Sequence, residues 1–363
     1  MISLGRLGKP GILIRRGGSG KRESSSLGTG ADGFLYVQCR TAELRDEICK
    51  YLERKIHVSY DPKKETMVTV GGSEAIDVAL RCMLDPGDEV LIPQPSYVSY
   101  LPCTVMADGV PVIVELKHEN EFKLTVEDLE SKISERTKIL VMPFPNNPTG
   151  SIMTKEDLEP IAEFVKTHDL YVLSDEIYSE LSYKGEHVSI ASLPGMRDRT
   201  IVINGFSKGF AMTGWRLGYC CGPEVILKQM IKLHQFAIMC APTNSQYAAV
   251  EGLRSCEDEV AEMRKSYNQR RRFLMHEFAR MGLECFEPFG AFYVFPSIRE
   301  FGMSSEEFAE RLLMEEKVAV VPGTAFGACG EGFLRISYAY SLEDLKVALG
   351  RLGHFIERLR NER

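Results

Sequence analysis

From residue 66 onward the chain alternates between short, continuous apolar runs and stretches of helical period. TMVTV (66–70), DEVLIP (88–93), VPVIVEL (110–116), TKILVMPF (137–144), LYVLSDE (170–176) and TIVINGFS (200–207) read as strands. Between them lie GGSEAIDVALRCML, with apolar residues at 76, 79, 80, 83 and 84 on one helix face, and TKEDLEPIAEFVKTHD (154–169). In the latter, Thr154 is placed to cap a helix whose first turn carries acids. A strand with no polar alternation has no face to give to water, so its sheet must be covered on both sides. The expectation is an α/β fold: a mainly parallel sheet with helices on both faces. In such sheets ligands gather at the carboxyl ends of the strands.

The rhythm stops near residue 255. A long charged amphipathic helix (257–281), the apolar run ECFEPFGAFYVFPSI, a helix at 304–316, VAVVPG, FLRISYAY and a final helix from about 342 predict a smaller α+β C-terminal domain. Three parts are therefore expected: an irregular segment 1–41, a large domain 42–255 and a small domain 256–363. A length of 363 residues suits one large and one small core. The net charge of −7 argues against a nucleic-acid partner, and no apolar run reaches membrane-spanning length. Ten cysteines without a C-x-x-C pair fit scattered thiols in a cytoplasmic protein, and the seven histidines lack metal-ligand spacing.

Each strand end carries a distinctive polar group. Gly71-Gly72-Ser73 follows the first strand at a helix N-terminus, where free backbone N–H groups and the helix dipole favour an anion. Tyr97 follows the second strand, Asn147 stands in PNNPTG, and Asp175 ends LYVLSDE with Tyr178 close behind. After TIVIN come Ser207 and Lys208 in the Gly-punctuated stretch NGFSKGFAMTGWRLGY, then Arg216 beside the only tryptophan. Arg335 in FLRISYA is flanked by apolar residues and needs a partner. Singly, these are a turn, a cap or ordinary half-buried aromatics. Jointly they form an anion cradle, a carboxylate, hydrogen-bonding groups, a lysine and two arginines. A nicotinamide dehydrogenase would need G-x-G-x-x-G after the first strand, which VGGSEAI does not supply.

That set fits pyridoxal 5'-phosphate (PLP), which needs a lysine to bond it, an acid for its ring nitrogen and a phosphate cup. The sequence resembles the class I/II aminotransferases of PLP fold type I, through VTVGGSEAI, DPGDEVLIPQPSY, PNNPTG, SDEIY, NGFSKGFAMTGWRLGY and FLRISYA in the family's order. The resemblance runs from about residue 42 to the C-terminus. SDEIYSELSY and TIVINGFSK are similar to the N-acetyl-L,L-diaminopimelate aminotransferase branch.

The resemblance implies roles position by position. Lys208 matches the lysine that bonds the cofactor, its useful pKa lowered by burial and by Arg216. Asp175 matches the acid for the ring nitrogen, Asn147 and Tyr178 the pair on the ring hydroxyl, and Tyr97 the residue stacked over the ring. Gly71, Gly72, Ser73 and Arg216 match the phosphate site, and Arg335 the arginine for the substrate α-carboxylate. Some relatives have a serine where this chain has Gly205; either Ser207 replaces it or the cup has fewer hydroxyls. The implied reaction is transamination with glutamate and 2-oxoglutarate as the nitrogen pair, by a homodimer acting on small amino and 2-oxo acids. A PLP-dependent carbon–sulfur β-lyase shares the same residues and stays open, as does a remnant impaired in its N-terminal lid.

Residues 6–40 depart from the family. MISLG resembles the family's segment preceding a substrate-covering Gly-x-Pro-Asp-Phe loop, and the ELR at Glu43–Arg45 returns to the pattern, but Gly, Ser and Arg dominate between them. Codons can be chosen for LYVQCRT (35–41) that, read one base later, spell the family's Tyr-Thr-x-x-x-Gly loop. A shifted reading frame is the expectation, with a divergent lid as the alternative.

Overall fold

The computed structural model describes residues 42–362. The expectations for residues 1–41 lie outside them.

Helix α1 (Ala42–Ile56) leads into strand β1 (Thr66–Thr69) and helix α2 (Gly72–Met83). Then follow β2 (Glu89–Gln94), α3 (Tyr100–Met106), β3 (Val110–Glu115), α4 (Val126–Glu130) and β4 (Thr137–Met142). Next come α5 (Lys155–Thr167), β5 (Tyr171–Asp175), β6 (Thr200–Gly205) and β7 (Gly218–Cys221). Helices α6 (Glu224–Ala237), α7 (Thr243–Ser255) and α8 (Glu257–Met281) precede β8 (Tyr293–Val294), α9 (Ser305–Glu316), β9 (Val321–Pro322), β10 (Leu334–Ser337) and α10 (Leu342–Asn361).

The large sheet has seven strands in the order β1-β7-β6-β5-β4-β2-β3. Neighbours pair in parallel from β6 through β3, while β7 runs antiparallel to both β1 and β6. The six strands read from the sequence are present, and β7 is an addition. Its four residues, Gly-Tyr-Cys-Cys, are too few to show a period beside the glycine-rich stretch before them. Thr154 caps α5: its hydroxyl accepts from the Asp157 N–H, and the Asp157 carboxylate accepts from the Thr154 N–H.

Both sheet faces are buried, as continuous apolar strands require. Ile139, Leu173, Ile201 and Cys220 pack against α2 and α6, while Leu140 and Val172 pack against α5 on the other side. A three-stranded antiparallel sheet, β8-β10-β9, carries the C-terminal part. Its core of Phe278, Phe308, Tyr338 and Phe355 is joined by Tyr178 and Leu181 from the first half of the chain. In turn, Phe295, Phe326 and Phe333 enter the core around Leu91 and Leu140. This exchange of side chains fixes β10 against the carboxyl ends of the large sheet. No helix among the described residues is long and apolar enough to cross a membrane.

Candidate active site

The strand ends converge on one cavity. Gly71, Gly72, Ser73, Tyr97, Asn147, Asp175, Tyr178, Ser207, Lys208, Arg216 and Arg335 all line it. Every site residue expected from the sequence is thus brought to the same place, from β1, β2, β4, β5, β6 and, across the chain, β10. No group of side chains able to hold a metal ion occurs among the described residues.

Asp175 forms the buried end of the cavity, at the last position of β5. Its Oδ2 accepts from the Tyr100 hydroxyl at 2.7 Å and its Oδ1 from the Ile177 N–H at 3.2 Å. Burial pushes its pKa up, against the opposing pull of those two donors. A carboxylate held in this way suits a cationic N–H placed against it.

Lys208 is half-buried just beyond β6. No hydrogen bond or ion pair holds its ammonium among the described residues. It lies instead 5.5 Å from the centre of the Phe292 ring and 5.8 Å from that of Tyr178. Its pKa is lowered, first by burial and then by the positive charges of Arg335 and Arg216, with Asp175 opposing. A lysine of lowered pKa reaches its neutral, nucleophilic form more readily.

Arg335 rises from β10 between two rings, 4.5 Å from the centre of Tyr293 and 4.7 Å from that of Phe326. Its Nη1 donates to Asn147 Oδ1 at 3.0 Å. This leaves the rest of the guanidinium fork for a bidentate anion. Tyr178, buried, has its hydroxyl 3.1 Å from that of Tyr293, and burial holds its pKa well above the usual phenol range.

At the opposite side Gly71 takes φ +85°, a left-handed conformation that favours glycine. A Cβ there would stand 2.9 Å from Arg216 Nη2, so the missing side chain lets the guanidinium reach the turn. Arg216 itself is exposed and donates from Nη1 to the Thr213 carbonyl at 3.0 Å. Ser73 Oγ and the Tyr97 hydroxyl lie 3.2 Å apart. Gly71 supplies no capping side chain to α2, which leaves the first N–H groups of the helix open to an anion. Gly205 is explained as well: a Cβ there would sit 2.9 Å from the Gly218 Cα, leaving no room for a serine beside β7.

The donor set fits PLP: an anion cradle, a lysine of lowered pKa and a buried carboxylate share one cavity. Two tyrosines that line the cavity were missed in the sequence. Tyr100 hides behind Tyr97 in QPSYVSY, and only the start of α3 turns it onto Asp175. Tyr293 lies in an apolar run far along the chain, where nothing local marks its hydroxyl.

Comparison with known proteins agrees. Residues 20–352 match the family model of aminotransferase class I and II. A putative aminotransferase, YugH, of Bacillus subtilis is 51% identical over 87% of this chain and 82% of its own length. An aspartate aminotransferase of Pyrococcus abyssi is 48% identical over 85% of the chain and 80% of its own length. A probable N-acetyl-LL-diaminopimelate aminotransferase of Bacillus subtilis is 43% identical over 88% of the chain and 80% of its own length. Among solved structures, the aromatic aminotransferase of Pyrococcus horikoshii superposes with a TM-score of 0.87 at 45% identity, covering 89% of this chain and 87% of that one. The chain belongs to the class I and II aminotransferases of PLP fold type I; it is a transaminase, and pyridoxal phosphate is its cofactor.

Proposed function

We propose that the enzyme exchanges an amino group between glutamate and a 2-oxo acid, with the roles divided among its residues as follows. Lys208 bonds the cofactor and, once released by the incoming amino acid, its Nζ moves the proton taken from the substrate Cα. When bound, the cofactor draws electrons from that carbon. Asp175 holds a proton on the ring nitrogen. Asn147 and Tyr178 donate to the ring hydroxyl, and Tyr97 covers a ring face. Gly71, Gly72, Ser73 and Arg216 hold the phosphate, with Ser207 at its edge. Arg335 grips the substrate α-carboxylate, and Asn147 orients it.

The observation that carries this reading is the setting of Arg335. It spans from β10 to Asn147 in the cavity that contains Lys208, which puts an anion grip in the same cavity as the lysine. The printed names of the relatives divide among aspartate, aromatic and N-acetyl-LL-diaminopimelate aminotransferases. An acceptor in diaminopimelate formation is our candidate, motivated by SDEIYSELSY and TIVINGFSK. The working form is proposed to be a homodimer. Exposed apolar side chains support it: Phe236 is 90% accessible and Met239, Tyr247 and Trp215 about half so.

The test is a screen of the PLP-loaded protein with glutamate and a panel of carbonyl acceptors, including the N-acetylated 2-amino-6-oxo dicarboxylate, reading 2-oxoglutarate formed. Turnover with glutamate supports the reading. Release of thiol and pyruvate from S-substituted cysteines, with no 2-oxoglutarate formed, would replace it with the β-lyase.

A further inference from the structure

Two consecutive glycines open helix α2, and Gly-Gly is the dipeptide with the most backbone freedom to lose on ordering. An anion site built there binds tightly only when the turn is fixed in advance. Two side chains fix it. The Thr69 hydroxyl donates to the Gly71 carbonyl at 2.9 Å. Glu74, in the first turn of α2, reaches back so that its Oε2 accepts from the Val70 N–H.

This is related to half of a capping box, with the acid reaching one residue further back, to Val70 before the cap residue Gly71. In the complete motif, a Ser or Thr at the cap claims a first-turn N–H while the acid at the third helical position accepts from the N–H of the cap residue itself. Here the acid is present and the capping hydroxyl is replaced by Gly71. The entry of the chain is pinned while the helix N–H groups stay free for a ligand.

The second oxygen of Glu74 is also engaged. Oε1 accepts from Nδ1 of His234 at 2.6 Å, and His234 is 2% exposed near the end of α6. A carboxylate beside an anion site repels the anion unless it is turned away and compensated. Glu74 does not line the cavity. With one oxygen on Val70 and the other on His234, it has no free oxygen facing the anion.

We propose that Glu74 is a positioning residue that pre-forms the phosphate-gripping turn, and that His234 anchors it through the α2–α6 contact. The proposal rests on the reading of Gly71–Ser73 and Arg216 as the phosphate site. Glu74 touches neither cofactor nor substrate and acts only through the turn. Its signature is therefore selective: it matters for a cofactor that carries the phosphate and not for one that lacks it.

The experiment titrates cofactor-free protein with PLP and, separately, with pyridoxal, which has the same ring and aldehyde and no phosphate. Glu74→Ala is expected to raise the Kd for PLP by about tenfold or more and that for pyridoxal by no more than about twofold. Glu74→Gln keeps an oxygen for the Val70 N–H and should stay within about threefold of wild type for both. His234→Leu should show the same selective loss at about three- to tenfold, and it decides the matter if Glu74→Ala does not fold. Parallel weakening of PLP and pyridoxal, or an unchanged PLP Kd, overturns the proposal. Arg216→Ala in the same titration tests the underlying reading. If it leaves the preference for PLP over pyridoxal intact, the phosphate site itself is misplaced; if it removes the preference while Glu74→Ala does not, only the role of Glu74 falls.

Discussion

A half-buried lysine with two arginines for electrostatic neighbours is a costly arrangement for a folded chain, and Lys208 carries that cost before any cofactor binds. Its folded pKa lies below the ordinary lysine value. The folded state is therefore penalised at every pH below that lowered pKa, and the penalty fades as pH rises from there to the ordinary value. Lys208→Met should accordingly raise the Tm of cofactor-free protein at neutral pH, with a gain that shrinks at strongly alkaline pH. The same variant should lose more than about a thousandfold in transamination, since in the proposed roles it removes both the bond to the cofactor and the proton carrier. A gain in Tm that is flat with pH would mean that packing, not charge, is responsible. Tyr100 gives a second residue-level prediction. Tyr100→Phe removes a donor from a buried carboxylate, worth about 1–3 kcal/mol, so kcat should fall roughly tenfold or more. Burial already raises the pKa of Asp175 and Tyr100 opposes it. Losing Tyr100 should therefore raise that pKa further and move the acidic edge of the pH–rate profile to higher pH. The reach of the sequence is visible here: Lys208 and Asp175 sit at strand ends and stand out as members of a joint set of polar residues at such ends, whereas Tyr100 joins the site only through the direction in which α3 leaves β2.

Among the elements, β7 is the one that holds the proposed phosphate side together. It is wedged antiparallel between β1 and β6, and at its first residue Gly218 pairs with both Thr69 and Gly205. A Cβ on Gly218 would come within 2.5 Å of the backbone of Gly71. Gly218→Ala should therefore force β1 and β7 apart, destabilise the fold by about 1–3 kcal/mol or more, and weaken PLP binding along with it. Thermal melts and a PLP titration check both. The parallel strands were legible because each is a continuous apolar run with a helix behind it. β7 was not, because four residues next to a glycine-rich loop carry no period, and only the pairing with β1 and β6 defines them. The same holds for β8 and β9, two residues each, which owe their existence to β10. Helix α8, by contrast, was read at its true ends, since Gly282 with φ +65° stops it where the charged pattern ends.

The whole molecule brings its two proposed anion grips to the cavity from different parts of the chain. Arg216 precedes β7 of the large sheet and Arg335 belongs to β10 of the small one, and both face Lys208. That the two parts share a core through Phe295, Phe326 and Phe333 could not be seen in the sequence, where these residues read only as apolar runs of the smaller part. Because Arg335 is held by two rings and by Asn147, its planar fork matters beyond its charge. Arg335→Lys should raise KM for the amino acid by about 10- to 100-fold with a smaller effect on kcat, measured by steady-state kinetics with glutamate. The central claim is that this cavity binds the cofactor through one particular lysine. Its most direct test is to load the purified protein with PLP, fix the adduct with borohydride, and map it by peptide mass spectrometry. The account predicts a visible absorption band before reduction and the label on Lys208 alone. No band, or a label scattered over surface lysines, would contradict it.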